Sequence, residues 1–431
     1  MTSPQLPHVP DIDDPALTAE LRHRIGRKTV PQGALGRVAW LAERLGAILG
    51  STEPRLRAPQ LVVFAADHGI AARGVSAYPS DVTWQMVGNF LAGGAAASVL
   101  ARQHGIALTV VDCGVRHDFD HPAAGPLPRQ GVAPSGGSAA CEAAQRGGEV
   151  AAGPLPRQGA APSGGSAACE AAERGGEVAA GPLPRQGAAP SGGSAACEAA
   201  QRGGKVAPGL LIRKIAPGTQ DCSTGPAMSA AQCAQALANG AELVKALPGN
   251  ALLLGEMGIG NTSAASLLTA RLGGLDVAEV TGAGTGLDAE GIARKTAVLR
   301  EALVANAGAT EPLAALAALG GFEIATMVGS VLQAASERRV VVVDGFIASA
   351  AVLVASRIAP PVLQRCVFAH RSGERGHARL LQLLGAEPLV DLGLRVGEGS
   401  GAALAWPLLV SACAILNEMA SFESAGVSDK G

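Results

Sequence analysis

At 431 residues the chain is longer than a single domain usually runs, so one large domain with a smaller companion is expected. Its 34 Lys and Arg against 36 Asp and Glu give a net charge of −2, which leaves no electrostatic footprint for nucleic acid or an anionic membrane and points to small-molecule partners. Apolar residues make up 48% but aromatics only 3%, so the core must come from Ala, Gly, Leu and Val with closely packed backbones.

The first residues, MTSPQLPHVPDIDD, carry acids and prolines where a secretory signal needs a basic start and an apolar stretch. The longest uncharged apolar run, residues 401–416, is shorter than the roughly 20 residues a bilayer span requires and contains Pro407, so it reads as a buried helix. Eight cysteines without C-x-x-C spacing argue against a disulfide framework or a structural zinc site. The expected compartment is the reducing cytoplasm, with no membrane partner.

Along the chain, helical patterns occupy residues 14–49, followed by a strand at 61–66, a helical stretch at 80–103 and a strand at 108–114. Three nearly identical 28-residue units then run through 123–150, 151–178 and 179–206. Each contains no aromatic residue and almost no large aliphatic side chain. A solenoid unit needs a hydrophobic face that its neighbours can cover. These units read instead as a flexible surface insertion whose Pro, Gly and Ser content cannot offset ordering entropy.

After the repeats come a helix at 230–247, strands at 251–258 and 278–284, a helix at 288–307, a strand at 339–346, a helix at 345–358 and a strand at 365–370. This alternation predicts an α/β fold: a mainly parallel, Rossmann-like sheet with helices on both faces and right-handed crossovers. The helices at both chain ends fall outside the alternation. They are expected to form a small helical domain from residues 1–55 and 393–431, around a large domain at 56–392 that contains the repeats.

Several strands end in glycine and acid loops, which in an open α/β sheet converge on a crevice beyond the carboxyl ends. In GEMGIGNTS, residues 255–263, glycines precede Asn261 and Thr262, where backbone N–H groups and a helix dipole can meet a phosphate; ordinary strand-to-helix turn chemistry is the alternative. TGAGTGLD, residues 281–288, lacks both the dinucleotide fingerprint and a P-loop lysine, so neither NAD nor ATP is supported. Lys295 is either a solvated helix-face residue or an anion ligand. His68, His370 and His377 lack helical ligand spacing and read as hydrogen-bonded structural residues rather than metal ligands. Glu398, between glycines in LRVGEGSGAAL, is either a helix N-terminal charge or a general base held in a tight loop.

Taken together, KTVPQGALGRVAWLA, FAADHGI, VSAYPSDVTWQMVGNFLAGGAA, RKIAPGTQDCSTGPAMS, LLLGEMGIGNTSAAS, GAGTGLDAEGIARK, VVVDGFIASAA and GEGSGAALAWPLL resemble the nicotinate mononucleotide:dimethylbenzimidazole phosphoribosyltransferase family, in family order. The resemblance implies transfer of the ribose phosphate of nicotinate mononucleotide to 5,6-dimethylbenzimidazole, with inversion at the anomeric carbon, in cobalamin lower-ligand assembly. It implies a homodimer needing neither cofactor nor metal. By the same resemblance Glu398 is the catalytic base and Glu256 a second carboxylate near the reacting groups. The phosphate site maps onto Gly258, Gly260, Asn261, Thr262, Gly282, Gly284, Gly286 and Lys295. Ser76, Gln85, Met257 and Val396 match positions near the benzimidazole, and Ser372 joins the substrate-binding set. Where the family more often has HQSAEPGH, this chain reads HRSGERGH, differing at Arg371, Gly373 and Arg375. An enzyme of the same fold using another acceptor base, or a nonenzymatic nucleotide-binding scaffold, are the alternatives.

Overall fold

The structure, a computed structural model, describes residues 6–119 and 209–428. The repeats at 123–206 lie outside the described residues. Six parallel strands form one sheet: β1 (Gln60–Ala66), β2 (Ala107–Gly114), β3 (Gly209–Ile212), β4 (Ala251–Met257), β5 (Val340–Val343) and β6 (Cys366–Phe368), in the order β3-β2-β1-β4-β5-β6. Helices cover both faces, so the central strands read as continuous apolar runs; every residue of β1 and β5 is buried. Strand order reverses between β1 and β4. That reversal opens a crevice beyond their carboxyl ends, where Phe64 of β1 sits in register with Glu256 of β4.

Alternation along the strands divides the core in two. Val62, Phe64, Leu252, Leu254, Val341 and Val343 pack beneath the helices Ala230–Ala246, Asn261–Gly273, Phe322–Ser336 and Phe346–Ile358. Two of these helices meet backbone to backbone: a Cβ on Gly240 would strike Thr326 O, and one on Gly329 would strike Leu237 O. The small-residue composition therefore lets the helices approach to a distance that larger side chains would prevent.

On the opposite face, Leu61, Val63, Leu253 and Val342 share a core with Leu21 of the helix Pro15–Gly26, Leu41 and Leu45 of Gly36–Leu49, and Leu409 and Leu416 of Ser400–Glu418. The two chain ends are joined by a bridge between Lys28 and Ser421 and by Lys28 Nζ donating to Met419 O at 2.6 Å. Among the described residues, Ser400–Glu418 is the one helix long and apolar enough to cross a membrane, and its Trp406, Leu409 and Leu416 are buried in this second core. The five described cysteines are all buried and free.

Three local expectations are corrected. Residues 278–284 form no strand: Asp276 accepts from Ala278 N at 2.9 Å and caps a single helical turn, Val277–Val280, leaving Thr281 onward as loop. The stretch 80–103 is two helices, Val82–Leu91 and Ala96–Gln103, separated at Gly93, whose φ of 79° ends the first. The edge strand β3 pairs with β2 from Thr109 opposite Gly209, although its GLLI sequence is not among the expected strands.

Candidate active site

The crevice is walled by four strand-end segments. After β4, the chain turns through Gly258, Ile259 and Gly260 into the helix Asn261–Gly273. This turn is pressed against β1: a Cβ on Gly258 would lie 2.5 Å from Ala66 O, and Gly260 has φ 98°. Only glycine fits both demands. Ile259 N donates to Thr83 Oγ1 at 3.1 Å, fixing the turn from a second side. Behind it, buried His68 Nε2 lies 2.6 Å from Glu323 Oε1. Burial works against the imidazolium, but the Glu323 carboxylate outweighs it and raises the pKa of His68.

The loop that carries Glu398 packs on the end of β4, where a Cβ on Gly255 would lie 2.5 Å from Glu398 O. Gly397, Glu398 and Gly399 all take positive φ, at 72°, 66° and 82°. For a non-glycine residue this conformation costs on the order of 1 kcal/mol or more and persists only where its surroundings fix it. Asp344, one residue past β5, provides that restraint: Oδ2 accepts from Gly399 N at 3.2 Å and Oδ1 from Ala402 N at 2.9 Å. Glu398 Oε2 is buried and has no hydrogen-bond partner among the described residues. Burial raises its carboxyl to about 7 against a stabilising hydrogen bond from Ala97 N, with the Asp344 charge adding to the rise.

Glu256 faces this loop from the end of β4. A Cβ on Gly397 would come within 2.6 Å of its Oε1, and its Oε2 accepts from Asn261 Nδ2. Burial pushes Glu256 up to about 8, with Asp344, Glu323 and Glu398 contributing like-charge repulsion. Two carboxyl groups whose pKa values are displaced into the neutral range therefore share one cleft.

Lys295 is 1% exposed, so it is not a solvated helix-face residue. Its Nζ donates to Thr262 Oγ1 at 2.8 Å beneath Gly284, where an added Cβ would stand 3.3 Å from the ammonium. Burial lowers it to about 8, partly offset by Glu374. Burial in turn raises Glu374, while Lys295 and a hydrogen bond from Gly284 N pull it back. Nearby, His377 Nδ1 accepts from Ser372 N at 2.9 Å, and burial depresses its pKa to about 3. The ring is thus neutral, with Nε2–H left to donate to Ser349 Oγ, 3.0 Å away.

Of the sequence-predicted residues, Glu256, Met257, Gly258, Asn261, Thr262, Gly284, Ser372, Val396 and Glu398 line the cleft together. Gly260, Gly282, Gly286 and Lys295 lie outside that lining; Gly282 packs on the Glu374 carboxylate, and Gly286 has open space around it. Ser76 reaches the cleft only through Thr285, with Oγ atoms 2.9 Å apart. Gln85 is exposed and outside the lining; Val82 and Met86, one helical turn apart, line the wall instead. Sequence reasoning also missed Tyr78, Ile347, Glu374 and Arg395, and it read His370, which lines the cleft, as a structural residue. The i, i+4 spacing of Val82 and Met86 was the available signal for one face of that helix. The departures at Arg371, Gly373 and Arg375 are all exposed, and Arg371 lies 3.5 Å from exposed Asp391, whereas Ser372, Glu374 and His377 between and beside them are buried.

A parallel sheet whose reversal point holds a glycine-lined helix N-terminus beside two buried carboxyls is suited to holding a phosphorylated substrate, and the chain belongs to the phosphoribosyltransferase family, whose sequence profile matches residues 11–153 and 192–427. The profile is interrupted within the repeats. Within the family its relatives are nicotinate-nucleotide–dimethylbenzimidazole phosphoribosyltransferases. That of Variovorax paradoxus is 56% identical over 425 residues, covering 99% of this chain and 97% of its own. That of Dechloromonas aromatica is 45% identical, covering 97% and 98%. The crystal structure of the enzyme of this name from Thermus thermophilus matches with a TM-score of 0.73 at 34% identity, over 97% of this chain and all (100%) of that one.

Proposed function

We propose that this phosphoribosyltransferase moves the ribose phosphate of nicotinate mononucleotide onto 5,6-dimethylbenzimidazole, releasing nicotinate and forming α-ribazole 5′-phosphate. The observation that carries the reading is Glu398: an unpartnered, buried carboxylate oxygen on a left-handed loop packed directly against Glu256 and the end of β4. One benzimidazole nitrogen attacks the anomeric carbon from the face opposite nicotinate, and the bond to the pyridinium nitrogen breaks with its electron pair going to that ring. The leaving group is neutralised without an acid. Glu398 takes the proton from the second azole nitrogen, a task suited to a carboxyl with a pKa near 7. Protonated Glu256 leaves the neighbouring site less negative when Glu398 ionises.

The phosphate is assigned to the first turn of Asn261–Gly273 and the Gly284 loop, with Lys295 supplying charge through Thr262 or directly. Apolar Met86, Met257, Ile259 and Val396 provide flat packing for the heterocycle. Residues 1–55 and 393–431 are assigned to one helical unit, a division supported by the Lys28–Ser421 bridge. A cytoplasmic homodimer completes the proposal, with sedimentation testing the dimer. The decisive assay mixes protein, nicotinate mononucleotide and dimethylbenzimidazole, and resolves the product anomer by NMR. An α product with one equivalent of nicotinate is expected; a β product, or none, overturns the reading.

A further inference from the structure

We infer that Asp344 is a positioning residue for the general base, holding Glu398 in its left-handed conformation and setting the pH at which that base works. This deepens the reading of Glu398 as base and rests on it. The geometry is direct. Asp344 spends both carboxylate oxygens on the backbone immediately after Glu398, one on Gly399 N at 3.2 Å and one on Ala402 N at 2.9 Å. It is 1% exposed, so water does not compete for those contacts. Gly399 is packed on the backbone of β4 and on β1: a Cβ there would lie 3.1 Å from Gly255 Cα, 3.2 Å from Leu254 O and 2.5 Å from Leu61 Cδ1. The turn is therefore fixed between β1 and the Asp344 carboxylate.

The charge of Asp344 acts as well as its shape. Among the described residues it is the one ionisable neighbour that raises Glu398, and it also raises Glu256. The other groups around the pair are His370 beyond β6, with Nε2 3.5 Å from Asp344 Oδ1; Glu374 and Arg395 in the cleft wall; and Glu323, which bears on Glu256. A supporting role for His370 follows: packed against Gly401 with neither ring nitrogen hydrogen-bonded among the described residues, it fills the space beside Asp344 and keeps the carboxylate facing the loop.

The test compares kcat against pH for wild type, D344N and E398Q, with KM measured for both substrates. D344N keeps the size and one acceptor but loses the charge and one of the two backbone contacts. Its acidic limb should move about one pH unit lower, because removing a negative neighbour lets Glu398 ionise more readily. Its plateau kcat should fall about tenfold with KM little changed, as expected when a reacting group loses its alignment. A limb and plateau matching wild type, while E398Q is inactive, overturn the role of Asp344 and leave the base intact. Wild-type turnover in E398Q instead removes the base reading itself. If D344N does not fold, D344E decides: it retains the charge, so the limb stays at the wild-type pH while kcat falls, and an unchanged kcat overturns the proposal.

Discussion

Lys295 Nζ donates to Thr262 Oγ1 at 2.8 Å, tying the middle of the helix Ala289–Ala305 to the first turn of Asn261–Gly273 beneath the Gly284 loop. An ammonium held at about 8 by burial gains from any anion placed over that turn. Lys295→Ala should lower kcat/KM for nicotinate mononucleotide by about 10- to 100-fold, the equivalent of a charged hydrogen bond worth roughly 1.5 to 3 kcal/mol. Lys295→Met, which keeps most of the volume, should show the same loss and so separate charge from packing. Steady-state kinetics with a normal circular dichroism spectrum are the check; wild-type values for Lys295→Met would confine the residue to a packing role.

The repeats make a second prediction, sharpened by the sheet. Since β2 and β3 are adjacent and parallel, the segment between them must run back from Gly114 to the start of β3 opposite Thr109. Parallel neighbours need a crossover of roughly a dozen residues or more. Deleting residues 151–206 leaves 115–150 and 207–208 for that path, and should keep melting temperature and kcat at wild-type values. Deleting 123–206 leaves 115–122 and 207–208, which at about 3.3 Å per extended residue reach roughly twice the return from Gly114 to Thr109, so this deletion too should keep the melting temperature and kcat close to wild type. A cooperative loss of structure in the shorter deletion would show that the repeats pack.

Much of the sheet was legible because strands buried on both faces announce themselves as apolar runs: LVVFAA and ALLLGEMG became β1 and β4 nearly residue for residue, whereas of the expected strand 339–346 only VVVV, Val340–Val343, pairs as β5 before the chain turns into the helix at Phe346. Edge positions were less so. GLLI is short and is followed at once by Arg213 and Lys214, and β-propensity at 278–284 lost to the Asp276 cap. In the site, glycine-rich turns and Glu398 were visible because they are local in sequence. Ile347, Glu374 and Arg395 were not, because each enters the cleft through the strand order, which a local motif does not encode.

Glu256 links catalysis to stability. Its folded pKa is raised from 4.5 to about 8, so between those values the folded chain holds a proton that the unfolded chain releases. Stability from this group is therefore present below about pH 4.5 and lost as pH rises toward 8. Glu256→Gln keeps an oxygen to accept from Asn261 and removes the ionisation. Its melting temperature should exceed wild type by several degrees, on the order of ~5 °C, at pH 8, with the gap closing near pH 4.5. A pH-independent difference, measured by calorimetry across that range, would rule out ionisation as the cause.

Glu398→Gln is the test of the mechanism. Glutamine preserves the shape of the side chain and can still accept from Ala97 N, but it cannot take the azole proton. Loss of a general base typically costs about 10² to 10⁴ in rate, well beyond a modest positioning defect. The wild-type kcat should rise with pH through about 7, because the base must be ionised and burial has raised it to that value. In the variant that rise should disappear along with most of the turnover. Benzimidazole affinity should change little, because the apolar wall of Met86, Met257 and Val396 is untouched. Single-turnover rates and titration calorimetry separate the two effects. A near-normal rate with the acidic limb intact would eliminate Glu398 and leave Glu256, the other carboxyl displaced into this range, as the group to test next.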